Sequence, residues 1–387
     1  LTYIFSGDSP TELYLEALEE ILKNGDDVSP RGKRILEIRP AVFEFTNPRN
    51  RVTFAKGRVI NPFFQLAESL WILGGKSDVA SLLPYNSNMA QFSDNGIDFH
   101  APYGERLRSW NKCNAEGFVF NPLDQLVDVY KKIQADKDTR QAVAVIYNPL
   151  FDNNFIETKD RPCNMILTFK VRKNKLEMVV FNRSNDLHWG LFGANLCQFS
   201  TIQEVMASWL GIEAGTYTHF TDSLHVYLED YGSDISKEIT DCEQWDVPAI
   251  GNPRISSSFE EFHRLLSYFE TDINPLIRNI KQLDGAESIL RAVSKVRDPY
   301  LVTTFLAMAA YRAYNLSLFE PMREFLDALP HGQWRISCLR FLSSKYGKFN
   351  ESSHSPKLTN FDQDFLNLFS SYPEEVKDYI MRTDIKA

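Results

Sequence analysis

Along the first 250 residues the spacing of apolar positions changes several times, and each change predicts an element. Residues 10–24 (Pro-Thr-Glu-Leu-Tyr-Leu-Glu-Ala-Leu-Glu-Glu-Ile-Leu-Lys-Asn) place apolar side chains three and four apart, the period of an amphipathic helix. Ser9 or Thr11 supplies a cap and Gly25 a stop. Residues 35–55 alternate in short runs broken by Asn47-Pro48-Arg49-Asn50, which predicts a pair of strands. Residues 62–73 are apolar nearly all round and stop at Gly74-Gly75, as expected of a buried helix. Glu68 lies in its middle, where a carboxylate needs a partner or a purpose. A second amphipathic helix is predicted over 122–136. Strand-like Gln141–Tyr147, Met165–Arg172 and Leu176–Asn182 follow, and Lys173-Asn174 reads as a hairpin turn between the last two. An apolar helix over 197–210 ends at Gly211, and 217–227 reads as one more β-rich segment.

After about residue 250 helical periodicity takes over, at 258–269, 300–315, 318–328, 335–346 and 361–370, with a surface linker at 352–356. The pattern therefore predicts a mixed β/α catalytic domain over 1–250 and a mostly helical extension over 251–387.

Composition narrows the function classes. Hydrophobic residues make up 43% of 387, enough for a sizeable core. A formal charge of -9 argues against a broad nucleic-acid surface, while leaving room for a local cationic cleft. No apolar run reaches the length of a membrane span and no signal pattern opens the chain, which begins at Leu1, so a few leading residues are expected to be missing. Five widely spaced cysteines (Cys113, Cys163, Cys197, Cys242, Cys338), with no CxxC, suit a reducing cytoplasm and speak against disulfides or a cysteine zinc site. The ordinary fate of such cysteines is burial as small hydrophobes.

Cys163 differs from the rest by its neighbours, Arg161-Pro162-Cys163-Asn164 at the head of a strand. A guanidinium beside a thiol favours the thiolate and makes a nucleophile, though these residues alone leave a buried thiol equally open. Arg183-Ser184 and Arg140 sit at strand ends, and Arg31 sits in Ser29-Pro30-Arg31-Gly32. Such arginines match phosphate oxygens, or else form surface ion pairs, as Arg140 could with Asp138. Asn185, Asp186 and Asn195 offer amide and carboxylate edges to a heterocycle, while Asn195 equally suits the N-cap of the helix that follows. His225 and Tyr227 share a strand face by alternation, His219 joins them by parity, and the pair could hold a sugar hydroxyl.

The order of these groups is decisive. Glu68 in a Glu-x-Leu-Trp helix, Tyr103-Gly104, Asp138-x-Arg140, Tyr147-Asn148-Pro149, Pro162-Cys163, Arg183-Ser184-x-Asp186, Asn195 and His225-x-Tyr227 resemble, in order and spacing, the thymidylate synthase superfamily across roughly residues 10–230. The resemblance implies an α+β fold in which a mixed β-sheet forms a homodimer interface, with the helical extension added. It implies that Cys163 adds to C6 of a pyrimidine nucleoside monophosphate, that Glu68 relays protons, and that Tyr103 belongs to the catalytic group. Arg31, Arg183 and Ser184 would clamp the 5′-phosphate, with Arg140 reaching in from the neighbouring subunit. Asn195 would read the base edge, and His225 and Tyr227 the sugar hydroxyl. Asp186, also of the catalytic group, and Arg58 would serve 5,10-methylenetetrahydrofolate, the one-carbon donor.

Departures from the family pattern matter as much. Asn164 follows the nucleophile where the synthases carry His, and Gln141 stands where a second arginine is usual. The segment Tyr85-Asn86-Ser87-Asn88-Met89-Ala90 has no Trp, and Arg382–Ala387 does not resemble the closing tail. In the synthases that aromatic wall keeps water from the exocyclic methylene intermediate. Arg183-Ser184-Asn185-Asp186 with Trp189-Gly190 and Gly193-Ala194-Asn195 resembles the nucleotide hydroxymethylase branch. Water capture giving a 5-hydroxymethyl product is therefore the expectation, with dUMP favoured and dCMP or CMP close behind. A plain thymidylate synthase, and a retired enzyme whose helical tail serves as a partner surface, are the competing readings.

Overall fold

A computed structural model describes residues 2–55, 58–110, 122–153, 157–228, 251–352 and Lys377. The chain forms two compact units, one of Leu1–Arg51, Ala67–Gly232 and Ser257–Phe259, the other of Val52–Leu66, Ser233–Ser256 and the chain from Glu260 onward.

The first unit holds both sheets. Its first helix, α1 (Pro10–Asn24), is capped by Ser9 rather than Thr11: the Ser9 hydroxyl accepts from the Glu12 N–H at 3.3 Å. Leu13, Tyr14, Ala17, Leu18 and Ile21 form its buried stripe, and the Gly25 N–H closes it on the Ile21 carbonyl. A six-stranded mixed sheet has the order β1-β4-β9-β7-β6-β5. These are β1 (Tyr3–Gly7), β4 (Ala41–Phe45), β9 (Glu213–Thr221), β7 (Lys175–Asn182), β6 (Asn164–Arg172) and β5 (Val143–Val145). Beside it a four-stranded sheet runs β2 (Asp26–Val28), β3 (Ile35–Ile38), β10 (Leu224–Tyr227), β8 (Asn185–Asp186). After α4 (Gln125–Ala135) and α5 (Pro149–Asp152), the helix α6 (Leu196–Trp209) is buried along almost its whole length, and Gln203 ties it to the larger sheet by donating to the Leu176 carbonyl at 2.8 Å.

Two predicted strand segments are divided differently. The pair expected within 35–55 is β3 and β4, which lie in different sheets and do not pair with each other. The break falls at Arg39-Pro40 rather than at Asn47–Asn50, because Pro40 has no N–H to continue a ladder. The single run expected over 217–227 is likewise β9 and β10, one in each sheet.

In the second unit, helices at Asn274–Arg278, Glu287–Val293, Pro299–Asn315, Phe319–Ala328 and Gln333–Ser352 follow one another. Asp298 caps the long central helix by accepting from the Leu301 N–H at 3.0 Å. Aromatic pairs fill this core: Phe269 stacks on Phe305 at 4.7 Å and Phe63 on Tyr311 at 4.7 Å. The helix expected at 361–370, the tail at 382–387, most of the 352–356 linker, Cys113 and Cys242 lie outside the described residues. Cys197 and Cys338 are buried thiols. No helix among the described residues is long and apolar enough to cross a membrane.

Candidate active site

The site begins at the β6–β7 hairpin. Lys173 and Asn174 both take positive φ (51° and 57°), the backbone of the two-residue turn that suits twisted strands. Pairing runs from Arg172 with Lys175 to Ile166 with Phe181, but then Asn164 faces Asn182, so one residue, Met165, is extra. This bulge sets Cys163 beside Arg183, whose N–H donates to the Cys163 carbonyl at 2.9 Å. The Arg183 guanidinium lies 3.6 Å from the Cys163 sulfur and also donates to the Pro162 carbonyl at 3.0 Å.

Arg161 is thus not the cation at the sulfur: its guanidinium turns away and donates to the Asp152 carbonyl. Nor is the resting thiol acidified. Burial pushes its pKa up, Arg183 and Arg31 pull it down, and the Asp160 carboxylate adds to the rise. Cys163 rests as a half-buried thiol with two cations in range to stabilise a thiolate.

Behind the sulfur stands Tyr103, the first residue of α3 (Tyr103–Arg108). Gly104 lets that helix pack closely, since a Cβ there would meet the Lys76 carbonyl oxygen at 2.8 Å. The Tyr103 hydroxyl accepts from the Cys163 N–H at 3.3 Å and from the Asn164 side-chain amide at 3.0 Å. Asn164, fully buried, in turn accepts from the Asn182 amide at 2.8 Å, and Asn182 accepts from the Ser184 N–H at 2.9 Å. This chain of amides links the Ser184 backbone to the Tyr103 hydroxyl. Burial pushes the Tyr103 hydroxyl well above its ordinary range, so it stays protonated and retains a proton to donate.

Glu68 lies in the Ala67–Leu73 part of the helix α2 (Pro62–Leu73). Desolvation raises its pKa from 4.5 to about 7, although Gln198 donates to it at 2.6 Å. Gln198 also accepts from the Asn195 amide at 3.0 Å. Asn195 is not an N-cap: a π-helical turn over Leu187–Asn195 runs directly into α6, and its side chain makes no cap bond. The cap of that turn is Asp186, which accepts from the His188 N–H at 3.1 Å and the Trp189 N–H at 2.8 Å. Gly190 is required here because a Cβ would lie 2.1 Å from the Asn185 side-chain oxygen.

The strand β10 lies between β3 and β8, so His225 stands opposite both Glu37 and Asp186. His225 and Tyr227 share a face with rings 5.2 Å apart, as expected. His219 does not join them: it is fully buried in the other sheet, bonded to Asn185 at 2.8 Å and to Tyr217 at 2.7 Å. Arg31, in an exposed turn with φ 55°, acts electrostatically on both Cys163 and His225. Arg140 is exposed just before β5. Arg58 belongs to the second unit, where its N–H donates to the Ala55 carbonyl at 3.3 Å. Gln198 had no part in the sequence reading, and Asn182 entered it only as a strand end with no role of its own. Their signal is a polar amide at an inward position of an apolar run, where only a partner justifies burial.

This constellation has a family. The thymidylate synthase family model matches residues 12–264. The chain belongs to the thymidylate synthase family. It is 50% identical over 377 residues to the deoxyuridylate hydroxymethyltransferase of Bacillus phage SP01, covering 93% of this chain and 98% of that protein. It is 28% identical over 356 residues to the protein of the same name from Pseudomonas phage M6, covering 88% and 92% respectively. The Delftia phage PhiW-14 deoxyuridylate hydroxymethyltransferase is 29% identical over 258 residues, covering 64% and 67%. The family fold agrees with the mixed sheets and helices described above.

Proposed function

We propose that this chain transfers a one-carbon unit from 5,10-methylenetetrahydrofolate to C5 of dUMP and forms the 5-hydroxymethyl nucleotide. What carries the reading is a cysteine with a guanidinium 3.6 Å from its sulfur, set in a chain 50% identical to a deoxyuridylate hydroxymethyltransferase over nearly all its length. The Cys163 thiolate adds to C6 of the uracil, which makes C5 a carbon nucleophile. Arg183 stabilises the thiolate as it forms. With Arg31 and Ser184 it also holds the 5′-phosphate. Asn195 meets the base edge, and His225 and Tyr227 meet the sugar hydroxyl. Glu68, with a pKa of about 7, moves protons around the base at neutral pH, and Tyr103 donates from behind the sulfur.

Enzymes of the family take their one-carbon unit from methylenetetrahydrofolate, which supplies it at the oxidation level of formaldehyde. The half-buried Asp186 carboxylate beside the 36% exposed Trp189 indole fits a flat heterocycle carrying N–H donors. Water would reach the exocyclic methylene carbon on C5, because Tyr85–Ala90 carries no Trp wall. Support for a homodimer comes from the outward face of the larger sheet, where Ile4, Val143 and Phe181 are exposed at 66%, 37% and 37%. A two-fold axis through that face is the proposed route by which Arg140 reaches the neighbouring site.

The test is turnover with methylenetetrahydrofolate and each of dUMP, dCMP, UMP and CMP, with products identified by mass and Cys163→Ala as control. Hydroxymethyl-dUMP from the wild type and nothing from the variant is expected. Thymidylate alone would make the enzyme a synthase and refute the role given to the missing Trp. No product from any nucleotide would favour the non-catalytic reading.

A further inference from the structure

Gln198 stands between the two groups that handle the base, and its bonds fix which way one of them faces. It is 4% exposed and Asn195 is 7% exposed, so neither amide can exchange its partners for bulk water. A carboxylate only accepts, so the ionised Glu68 takes the Nε2 end of Gln198, at 2.6 Å. That leaves the Oε1 end of Gln198 toward Asn195, which must present its Nδ2, and does so at 3.0 Å. One N–H of Asn195 is thereby committed. What remains for a ligand is its Oδ1 and a second N–H, in a fixed order.

Resting on the dUMP reading above, we propose that Gln198 is a specificity-determining positioning residue that locks the Asn195 amide in the orientation uracil needs. Uracil offers an N3–H donor and an O4 acceptor, which the locked amide matches. Cytosine offers an N3 acceptor and an amino group, and asks for the amide reversed. Reversal would set Asn195 Oδ1 against Gln198 Oε1. Alternatively it would turn Gln198 and set Oε1 against Glu68, which, while ionised above its pKa of about 7, can only accept. Either way two acceptors face each other in a buried site, which is costly. Rejection of cytosine is thus carried by bonds two residues removed from the base. A lone asparagine, free to flip, would discriminate poorly.

The experiment uses the full-length protein and measures binding of dUMP and of dCMP by calorimetry without folate, then kcat and KM with it. Gln198→Met keeps length but bonds to neither neighbour. Its preference for dUMP over dCMP should fall roughly tenfold or more, as expected when a buried polar discriminator is released. Gln198→Glu still offers Asn195 an acceptor, so it should keep the dUMP preference while kcat drops, because two carboxyl groups then adjoin. A folded Gln198→Met with the wild-type preference, or a Gln198→Glu that loses it, overturns the proposal. If Gln198→Met does not fold, Gln198→Glu decides alone by the same criterion. The wild-type ratio judges the substrate reading separately: no binding of either nucleotide, or a preference for dCMP, sinks that reading and the orientation argument with it.

Discussion

Replacing Glu68 with glutamine should stabilise the protein while ending its catalysis, and the size of the gain is set by pH. The Glu68 carboxyl titrates near 4.5 in an unfolded chain and at about 7 in the fold, chiefly because burial penalises its charge. Its folded pKa is raised, so the folded state holds the proton more tightly and stability falls as pH climbs between those values. At ~1.36 kcal/mol per pKa unit, the penalty is about 1 kcal/mol at pH 5 and about 3 kcal/mol at pH 8. Glutamine keeps the volume and still accepts from Gln198, but it never ionises. Urea unfolding of wild type and Glu68→Gln at pH 5 and pH 8, at matched concentration, isolates the effect. Between those conditions the wild type should lose about 2.5 kcal/mol relative to the variant. Parallel pH dependences would refute a carboxylate whose charge is penalised by desolvation at this position. Turnover of the variant should be abolished at both pH values, since an amide cannot relay a proton.

Three further outcomes follow from the geometry. Arg183→Gln would remove a proposed charge-assisted contact worth about 1.5–3 kcal/mol, so dUMP affinity measured by calorimetry should fall roughly 10- to 100-fold and depend less steeply on salt. Phe181→Lys places a charge on the outward face of the larger sheet, where Phe181 packs on Phe220 at 5.9 Å. Sedimentation should then report a monomer, while an unchanged dimer would move the interface elsewhere. Arg106→Met strips the bidentate partner from the buried Asp152, now paired at 2.6 and 2.9 Å. Unfolding free energy should drop by about 3–5 kcal/mol, because the buried carboxylate loses its guanidinium and keeps the Asn148 N–H and His100.

What could be read from the sequence follows from how local each cause is. Ser9 and Gly25 bound α1 through their own side chain and backbone, and Lys173-Asn174 makes a turn by adopting positive φ. Glu68 drew notice as a carboxylate in an apolar helix, and its raised pKa is the consequence of that placement. The errors arise where the cause is a neighbour in space. Arg161 adjoins Cys163 in sequence, yet the cation at the sulfur is Arg183, delivered by a hairpin and a bulge at Met165 that alternation alone does not mark. His219 shares parity with His225, but the chain changes sheets between them, so parity carries nothing across the break. Gln198 acts only because α2 meets α6, which no local pattern encodes.

Charge balance ties the proposed chemistry to the proposed assembly. A nucleotide phosphate brings about two negative charges and the thiolate brings one more. Among the described residues Arg31 and Arg183 are the cations that act on the sulfur. If the phosphate takes them, Cys163 loses the charges that favour its thiolate, and the buried sulfur reverts to a poor nucleophile. A third cation resolves the conflict, and Arg140 of the neighbouring subunit is the proposed source. The usual second arginine beside it is Gln141 in this chain, so little surplus positive charge remains. Substrate binding, thiolate formation and dimerisation then share one electrostatic account. A variant that separates the subunits should weaken dUMP binding itself, and not only slow the reaction that follows.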